Sequence, residues 1–294
     1  MDELRQRTEW VRRFAVSRFG PAVQITHLPF GHAALSFEIE ADDDRWIVKT
    51  STGLDAFPRT VRHLELLGSL GIPTFKVEET GSEEEIAYLL YRKLPGRDLR
   101  YELPKMTLGQ MKRLAEQIVQ IQRQVGTLPP GNGFGWTPFD IPGPFETWYD
   151  VIKRDAAGMP EELWRQIRRI EPYLWSQPAT CFLDDITVKN VIVDHGELQG
   201  IVDLEALCYG DPMYMLALTD TTVVLDVGLA ALTYTTEIRR YWDLSDAQLH
   251  AANVYGALFG FAFLARPIGD AERRRMENWV GRCLGKASAA GSPR

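Results

Sequence analysis

The sequence predicts an α+β chain in which a small antiparallel sheet comes first and helices dominate the remainder. Three observations carry this. Strand-like runs separated by turn residues crowd residues 35–91, an apolar stripe at helical spacing begins at Leu108, and from Met213 onward the pattern is helical to the end. With 294 residues, 45% of them hydrophobic, the chain can bury a large core and is long enough for two lobes. The expected division is a sheet-based lobe over 1–92, a larger and mostly helical lobe over 93–285, and a frayed tail over 286–294, where "KASAAGSPR" offers nothing to pack.

Taken in order, Leu4 to Phe19 reads as an amphipathic helix stopped by Gly20-Pro21. "LSFEIEA" (Leu35 to Ala41) alternates apolar and polar residues, "RWIVKT" (Arg45 to Thr50) is rich in strand formers, and Asp42-Asp43-Asp44 between them reads as a solvated hairpin turn. Glu83-Glu84-Glu85 is a second acidic turn, ahead of a strand from Ile86 to Tyr91. Leu108, Met111, Leu114, Ile118, Ile121 and Val125 form the stripe of a core-facing helix that Gly126 and Pro129-Pro130 end. Trp136 and Trp148 flank "TPFDIPGPFET", a connector that is either a substrate-side loop or a packed crossing. Ser245 and Gln248 form a capping box that opens an apolar helix running through Leu264.

The most informative segment is "CFLDDITVKNVIVDHGELQGIVDLEALCYGDP", Cys181 to Pro212. Asp185 and Asn190 fit D-x-x-x-x-N. Val191 to Val193 and Leu198 to Val202 read as two short strands around the turn residues Asp194-His195-Gly196. Antiparallel pairing centred near Gly196 and Glu197 brings Asn190 beside Asp203, with Asp185 on the loop leading in. Two oxygen ligands next to a free carboxylate suit Mg²⁺, which takes one or two side-chain oxygens and fills its shell with water and nucleotide phosphates. Phosphoryl transfer then needs positioning, charge neutralisation and a carboxylate that accepts the proton of the attacking hydroxyl, for which Asp185 is the candidate.

These residues resemble the aminoglycoside phosphotransferase family of small-molecule kinases, relatives of protein kinases. The resemblance rests on Asp185 and Asn190, on "IVDLE" with Asp203 and Glu205, on Gly210-Asp211-Pro212, and upstream on "YLLYRKLPGRDL" and "LGSLGIPTFKV". It implies a two-lobed protein-kinase-like fold with ATP in the cleft between the lobes and transfer of its γ-phosphoryl to a small-molecule hydroxyl. It also implies that Asn190 and Asp203 hold Mg²⁺, that Lys49 holds phosphates, and that Gly31 opens a phosphate-covering loop. By the same resemblance, backbone groups of Arg92 and Leu94 meet the adenine, with Tyr91 at the back of the pocket. The carboxylate partner of Lys49 belongs near Thr60 or Val61, and Glu65, one turn later, is the acidic residue available.

The chain departs from the family pattern twice. Leu183 stands where a loop-bracing His is expected, and Met215 stands where a structural Asp is expected. The rival reading is a nucleotide-binding regulator of low turnover on the same fold. Asp184, Glu205 and Asp211 are candidate contacts for an amine-bearing acceptor or else loop and helix-start caps. Tyr234, Tyr255, Phe259 and Phe263 are core or, where they face the cleft, favour an acceptor with an apolar body.

A formal net charge of -7 without a basic run gives no general attraction for nucleic acid or an anionic membrane. Cys181, Cys208 and Cys283 are few and widely spaced, which fits a reducing compartment and neither a disulfide framework nor a zinc site. Arg12 and Arg13 interrupt the first apolar pattern, unlike a signal peptide, and Asp220 and Asp226 interrupt the longest apolar region, so a cytoplasmic protein without a membrane span is expected.

Overall fold

The alternating segments of the first half assemble into a five-stranded antiparallel sheet. A computed structural model describes residues 2–28, 34–53, 56–139, 141–204 and 207–285. The chain forms two compact units, Met1–Pro95 and Gly96–Arg294. The predicted tail, 286–294, lies outside the described residues.

In the first unit, α1 (Asp2–Phe19) precedes β1 (Gln24–Leu28), β2 (Leu35–Ala41), β3 (Asp44–Ser51), α2 (Pro58–Ser69), β4 (Val77–Glu83) and β5 (Ile86–Arg92), and the sheet order is β1-β2-β3-β5-β4. Both acidic turns close two-residue hairpins, with Ala41 opposite Asp44 and Glu83 opposite Ile86. Glu84 and Glu85 take φ of 49° and 63°, the positive pair of a turn whose twist matches the strands it joins. Phe37, Ile39, Trp46, Val48, Tyr88 and Leu90 line one sheet face and bury Trp10, Val11, Phe14 and Ala15 of α1. Because strand side chains alternate, Ile47, Lys49, Leu89 and Tyr91 are turned to the other face. The sequence reading missed β1, an edge strand whose residues are half-buried or exposed and carry no apolar alternation.

The second unit starts with β6 (Arg97–Asp98), α3 (Leu99–Glu102), α4 (Leu108–Val125), β7 (Gly135–Thr137), α5 (Trp148–Asp155), α6 (Glu161–Arg169), α7 (Glu171–Trp175) and β8 (Thr180–Phe182). It continues with β9 (Val191–Asp194), β10 (Glu197–Ile201), β11 (Leu207–Gly210), α8 (Met213–Asp226), α9 (Leu232–Trp242), α10 (Asp246–Leu264) and α11 (Asp270–Cys283). Two three-stranded sheets, β10-β9-β6 and β7-β11-β8, sit among these helices. The predicted stripe buries Leu114, Ile118, Ile121 and Val125 of α4, and a capping box of Thr107 and Gln110 starts that helix. The box of Ser245 and Gln248 starts α10 as the sequence predicts. Gly96 enters β6 at φ 92°, and a Cβ there would stand 2.2 Å from the carbonyl oxygen of Val193, so only glycine lets β6 approach β9. The Trp136–Trp148 connector packs: Phe134 bridges Phe145, Trp148 is wholly buried, and its Nε1 donates to the Tyr255 hydroxyl at 2.9 Å.

Helix α8 is buried along almost its whole length, so its Asp220 must be neutralised inside the protein. Arg239 of α9 does this with both terminal nitrogens on the two carboxylate oxygens, one of them at 3.0 Å, and Asp220 is 1% exposed. Replacing Arg239 with Met would leave a buried carboxylate unpaired and is expected to lower the unfolding free energy by about 3–5 kcal/mol. Urea titration of the two proteins measures this, and a difference within experimental error would show that Asp220 is neutralised some other way.

Candidate functional site

The hairpin β9–β10 builds the centre of the candidate site. Asp194 pairs with Glu197, so the two-residue loop is His195-Gly196, at φ of 49° and 83°. A bulge between Leu198 and Gly200 then shifts the register by one, after which Val191 lies opposite Ile201 and Val202 donates its amide to the Asn190 carbonyl at 2.9 Å. The sequence reading set the turn centre one residue too late and put Asn190 opposite Asp203. The tighter turn, only partly offset by the bulge, makes Val202 the partner. Asp203 is the next residue, exposed and in the left-handed region at φ 60°, a conformation Asp tolerates better than most residues.

Helix α4 holds this hairpin from its own N-terminus. Gln110, the capping-box residue, also donates its side-chain amide to the His195 carbonyl at 3.0 Å, and Arg113 pairs with Glu197 at 2.9 Å. Hairpin register and helix start are therefore fixed by the same side chain.

Asp185 lies on the loop between β8 and β9. The buried Asn190 donates from Nδ2 to the Asp185 carbonyl at 3.0 Å, closing D-x-x-x-x-N into a compact loop. Asp185 is exposed as a residue, yet the protein crowds its carboxyl. That loss of hydration and the negative charge of Asp203 push the carboxyl above its ordinary range, against hydrogen bonds from Thr187 and Asn190 and the positive charge of Lys189. Lys189 is in turn held by Asp226 at 3.2 Å.

Next to it, the Asp184 carboxylate accepts a hydrogen bond from Trp136 Nε1. Burial, with a smaller contribution from the Asp185 charge, pushes Asp184 up to about 6. Asp211 is 1% exposed and caps the start of α8 through the Met213 amide at 3.0 Å, while the hydroxyls of Tyr173 and Tyr255 donate to its other oxygen at 2.9 Å. Of the two readings of Asp211, the helix-start cap is therefore the one realised, and it is no acceptor contact. Glu205 lies outside the described residues.

In the first unit, Lys49 is 7% exposed on β3, opposite Ser36 of β2 and Leu89 of β5. The same face carries Glu38, held by Lys93 at 2.7 Å, and Tyr91, stacked on Phe75 with ring centroids 3.8 Å apart. Lys93 donates its amide to the Arg45 carbonyl at 2.9 Å. Strand alternation then turns the backbone groups of Arg92 away from β3. The Arg92 side chain is engaged elsewhere, 2.7 Å from Asp44 and over the Trp46 ring.

Glu65 is exposed on α2, whose buried stripe is Thr60, His63, Leu64 and Leu67. The structure does not bring it to Lys49, because position 65 is rotated away from that stripe. Gly31 lies outside the described residues.

Sequence reasoning missed Gln122 and Thr219. Gln122, 3% exposed, donates from Nε2 to the Leu183 carbonyl at 2.6 Å and accepts from the Leu183 amide at 3.2 Å. Thr219 donates its hydroxyl to the Ile186 carbonyl at 3.0 Å. The signal for Gln122 was a polar residue on the buried face of α4, one turn after Ile118. Leu183 thus has its loop braced from α4 in spite of lacking the expected His.

Among the described residues no group of three or more His, Cys, Asp or Glu side chains could hold a metal ion. No described helix is long and apolar enough to cross a membrane, and the three cysteines are free.

Solved structures with the same fold are numerous. Aminoglycoside phosphotransferase APH(4)-Ia, as a thermostable mutant with AMP-PNP and hygromycin B, superposes with a TM-score of 0.68 at 17% identity, over 96% of this chain and 99% of that one. A Haemophilus somnus protein described as a fructosamine-3-kinase follows at 0.61 and 13%, covering 93% and 96%. Aminoglycoside-3'-phosphotransferase of type VIII gives 0.56 and 19%, covering 84% and 96%. The fold is therefore protein-kinase-like. No curated protein matches the sequence. The pattern of the phosphotransferase enzyme family matches residues 24–228, a stretch that spans Lys49, Asp185 and the Asn190–Asp203 hairpin, and the chain belongs to that family.

Proposed function

We propose that this small-molecule kinase transfers the γ-phosphoryl of ATP to a hydroxyl of its acceptor, with Asp185 as the proton acceptor and Asn190 and Asp203 as ligands of Mg²⁺. The observation that carries the reading is the hairpin closure: the Val202–Asn190 bond sets Asn190 and Asp203 next to one another at the mouth of the loop that bears Asp185. An amide oxygen and a carboxylate are the hard donors such an ion takes, and one or two of them suffice. Bound there, the ion would neutralise phosphate charge.

The remaining work falls to side chains and backbone of this protein. Asp185 accepts the acceptor's hydroxyl proton as the oxygen attacks phosphorus, and ADP leaves with the former β–γ bridging oxygen. Lys49 is assigned to the phosphates and the backbone groups of Arg92 and Leu94 to the adenine, where the outward direction at Arg92 supports the reading. The nucleotide analogue held by APH(4)-Ia supports ATP as donor. Tyr234 and Tyr255 are fully buried and cannot line an acceptor site, so the case for an apolar acceptor rests on the half-buried Phe259 and Phe263.

Asp185→Asn is expected to lower turnover by roughly 10²- to 10⁴-fold with nucleotide affinity unchanged. Since the base must be ionised and its pKa is raised, the parent's kcat/KM should fall on the acid side with a midpoint above that of an ordinary Asp. The residual rate of the variant should lack that limb. Normal turnover by Asp185→Asn would remove the base assignment.

Asp203→Ala should weaken binding of ATP in the presence of Mg²⁺ far more than binding of adenosine without metal. Calorimetric titrations compare the two, and an equal loss in both would make Asp203 a structural carboxylate.

For the acceptor, ADP release is measured with hygromycin B, an amino sugar and a macrolide as trial alcohols. Stimulation by the macrolide alone supports an acceptor with an apolar body. Stimulation by either of the polar compounds alone rules that preference out and leaves the kinase reading standing.

A further inference from the structure

The dipeptide Asp184-Asp185 is suspended between two buried residues whose backbones are gripped from separate helices. On one side, Leu183 is 1% exposed and both its amide and its carbonyl are bonded to the side-chain amide of Gln122. On the other, Ile186 is 1% exposed and its carbonyl accepts from Thr219, itself 1% exposed and packed 3.3 Å from the Met215 sulfur. These polar groups have no access to solvent, so each bond that is lost leaves a buried donor or acceptor unsatisfied. Gln122 is on α4 and Thr219 on α8, elements that pack independently of the loop they hold.

We propose that Gln122 and Thr219 are the positioning residues of the catalytic carboxylate. They take over the bracing that the family pattern would assign to a His at position 183 and an Asp at position 215. The chemistry of the replacement is direct. A primary amide presents an N–H donor beside a carbonyl acceptor in one plane, matching the carbonyl and amide of a single residue, and fixes Leu183 in two places. Thr219 is one helical turn beyond Met215, on the same face of α8, and supplies a hydroxyl where the carboxylate is missing. With both neighbours pinned and Asn190 holding the Asp185 carbonyl from within the loop, the Asp185 carboxyl has little backbone freedom.

The inference rests on the kinase reading for its catalytic meaning but not for its physical content. Gln122→Met and Thr219→Val keep shape and remove the hydrogen bonds. With Mg²⁺-ATP as the probe and ADP release as the signal, kcat should fall by about 10- to 100-fold in Gln122→Met and in Thr219→Val, since a displacement near 1 Å is enough for a loss of that size. Nucleotide KM should stay within about twofold, because no nucleotide ligand is touched.

Hydrogen exchange is measured on the same proteins. Amides of 183–187 should lose protection in the variants while those of β9 and β10 do not. Unchanged exchange at 183–187 in both Gln122→Met and Thr219→Val would overturn the proposal. So would a parent-like kcat beside a lowered melting temperature, since that is what plain structural residues would give. If the parent releases no ADP, the kinase reading fails and the exchange result alone decides whether these two residues hold the loop. If one variant does not fold, the other carries the test.

Discussion

The β9–β10 hairpin, closed by His195 and Gly196 at positive φ, sets the relation between the two candidate metal ligands. Neither Asn190 nor Asp203 needs to reach far, because the last ladder bond, from Val202 to Asn190, leaves them adjacent by construction. A slip of one residue would reverse the faces of both strands and send the buried Val191 and Val193 to solvent. The apolar residues of β9 thus protect the register, and the register holds the polar pair. Gln110 and Arg113 reinforce it from α4, and Gly96 lets β6 complete the sheet at the other edge.

Around this hairpin the second unit is an apolar interior with a few polar bonds at chosen points. Several of its buried polar groups have a specific task. Asp220 ties α8 to α9 through Arg239, Asp211 starts α8 and gathers Tyr173 and Tyr255, and Gln122 and Thr219 grip the loop of Asp185. Such groups cost desolvation, and the cost is offset only where their bonds are complete. That is why they specify geometry: a helix that shifted by a fraction of an ångström would lose a bond with no water to replace it.

The first unit follows a different rule, in which one sheet face packs against α1 and the other mixes apolar with charged side chains. Trp46, Val48, Tyr88 and Leu90 join α1 in a closed aromatic and aliphatic layer, which frees the opposite face for Lys49, Glu38 and Tyr91. The Glu38–Lys93 pair brings a buried carboxylate to that face.

The main strands of the first sheet, the two acidic hairpins, the stripe of α4, the capping box of α10 and the loop with Asp185 and Asn190 were legible in the sequence, because each is governed by local periodicity or turn chemistry. The bulge at Gln199, the edge strand β1 and the two-residue β6 were not, since their hydrogen bonds depend on a partner distant in sequence. Asp185 was picked out by its spacing to Asn190 together with the hairpin and the Asp203 that follow. What holds it could not be, because Gln122 lies 61 residues from Leu183 and Thr219 lies 33 from Ile186. In the same way Glu65 was chosen as the acidic residue one turn beyond the expected position, and the packing of α2 leaves it exposed, off the buried stripe. The sequence by itself determined which groups are available and which backbone each sits on. Only the tertiary structure decided which of them meet, because that depends on how buried faces pack and on pairing most of the polar atoms carried in with them.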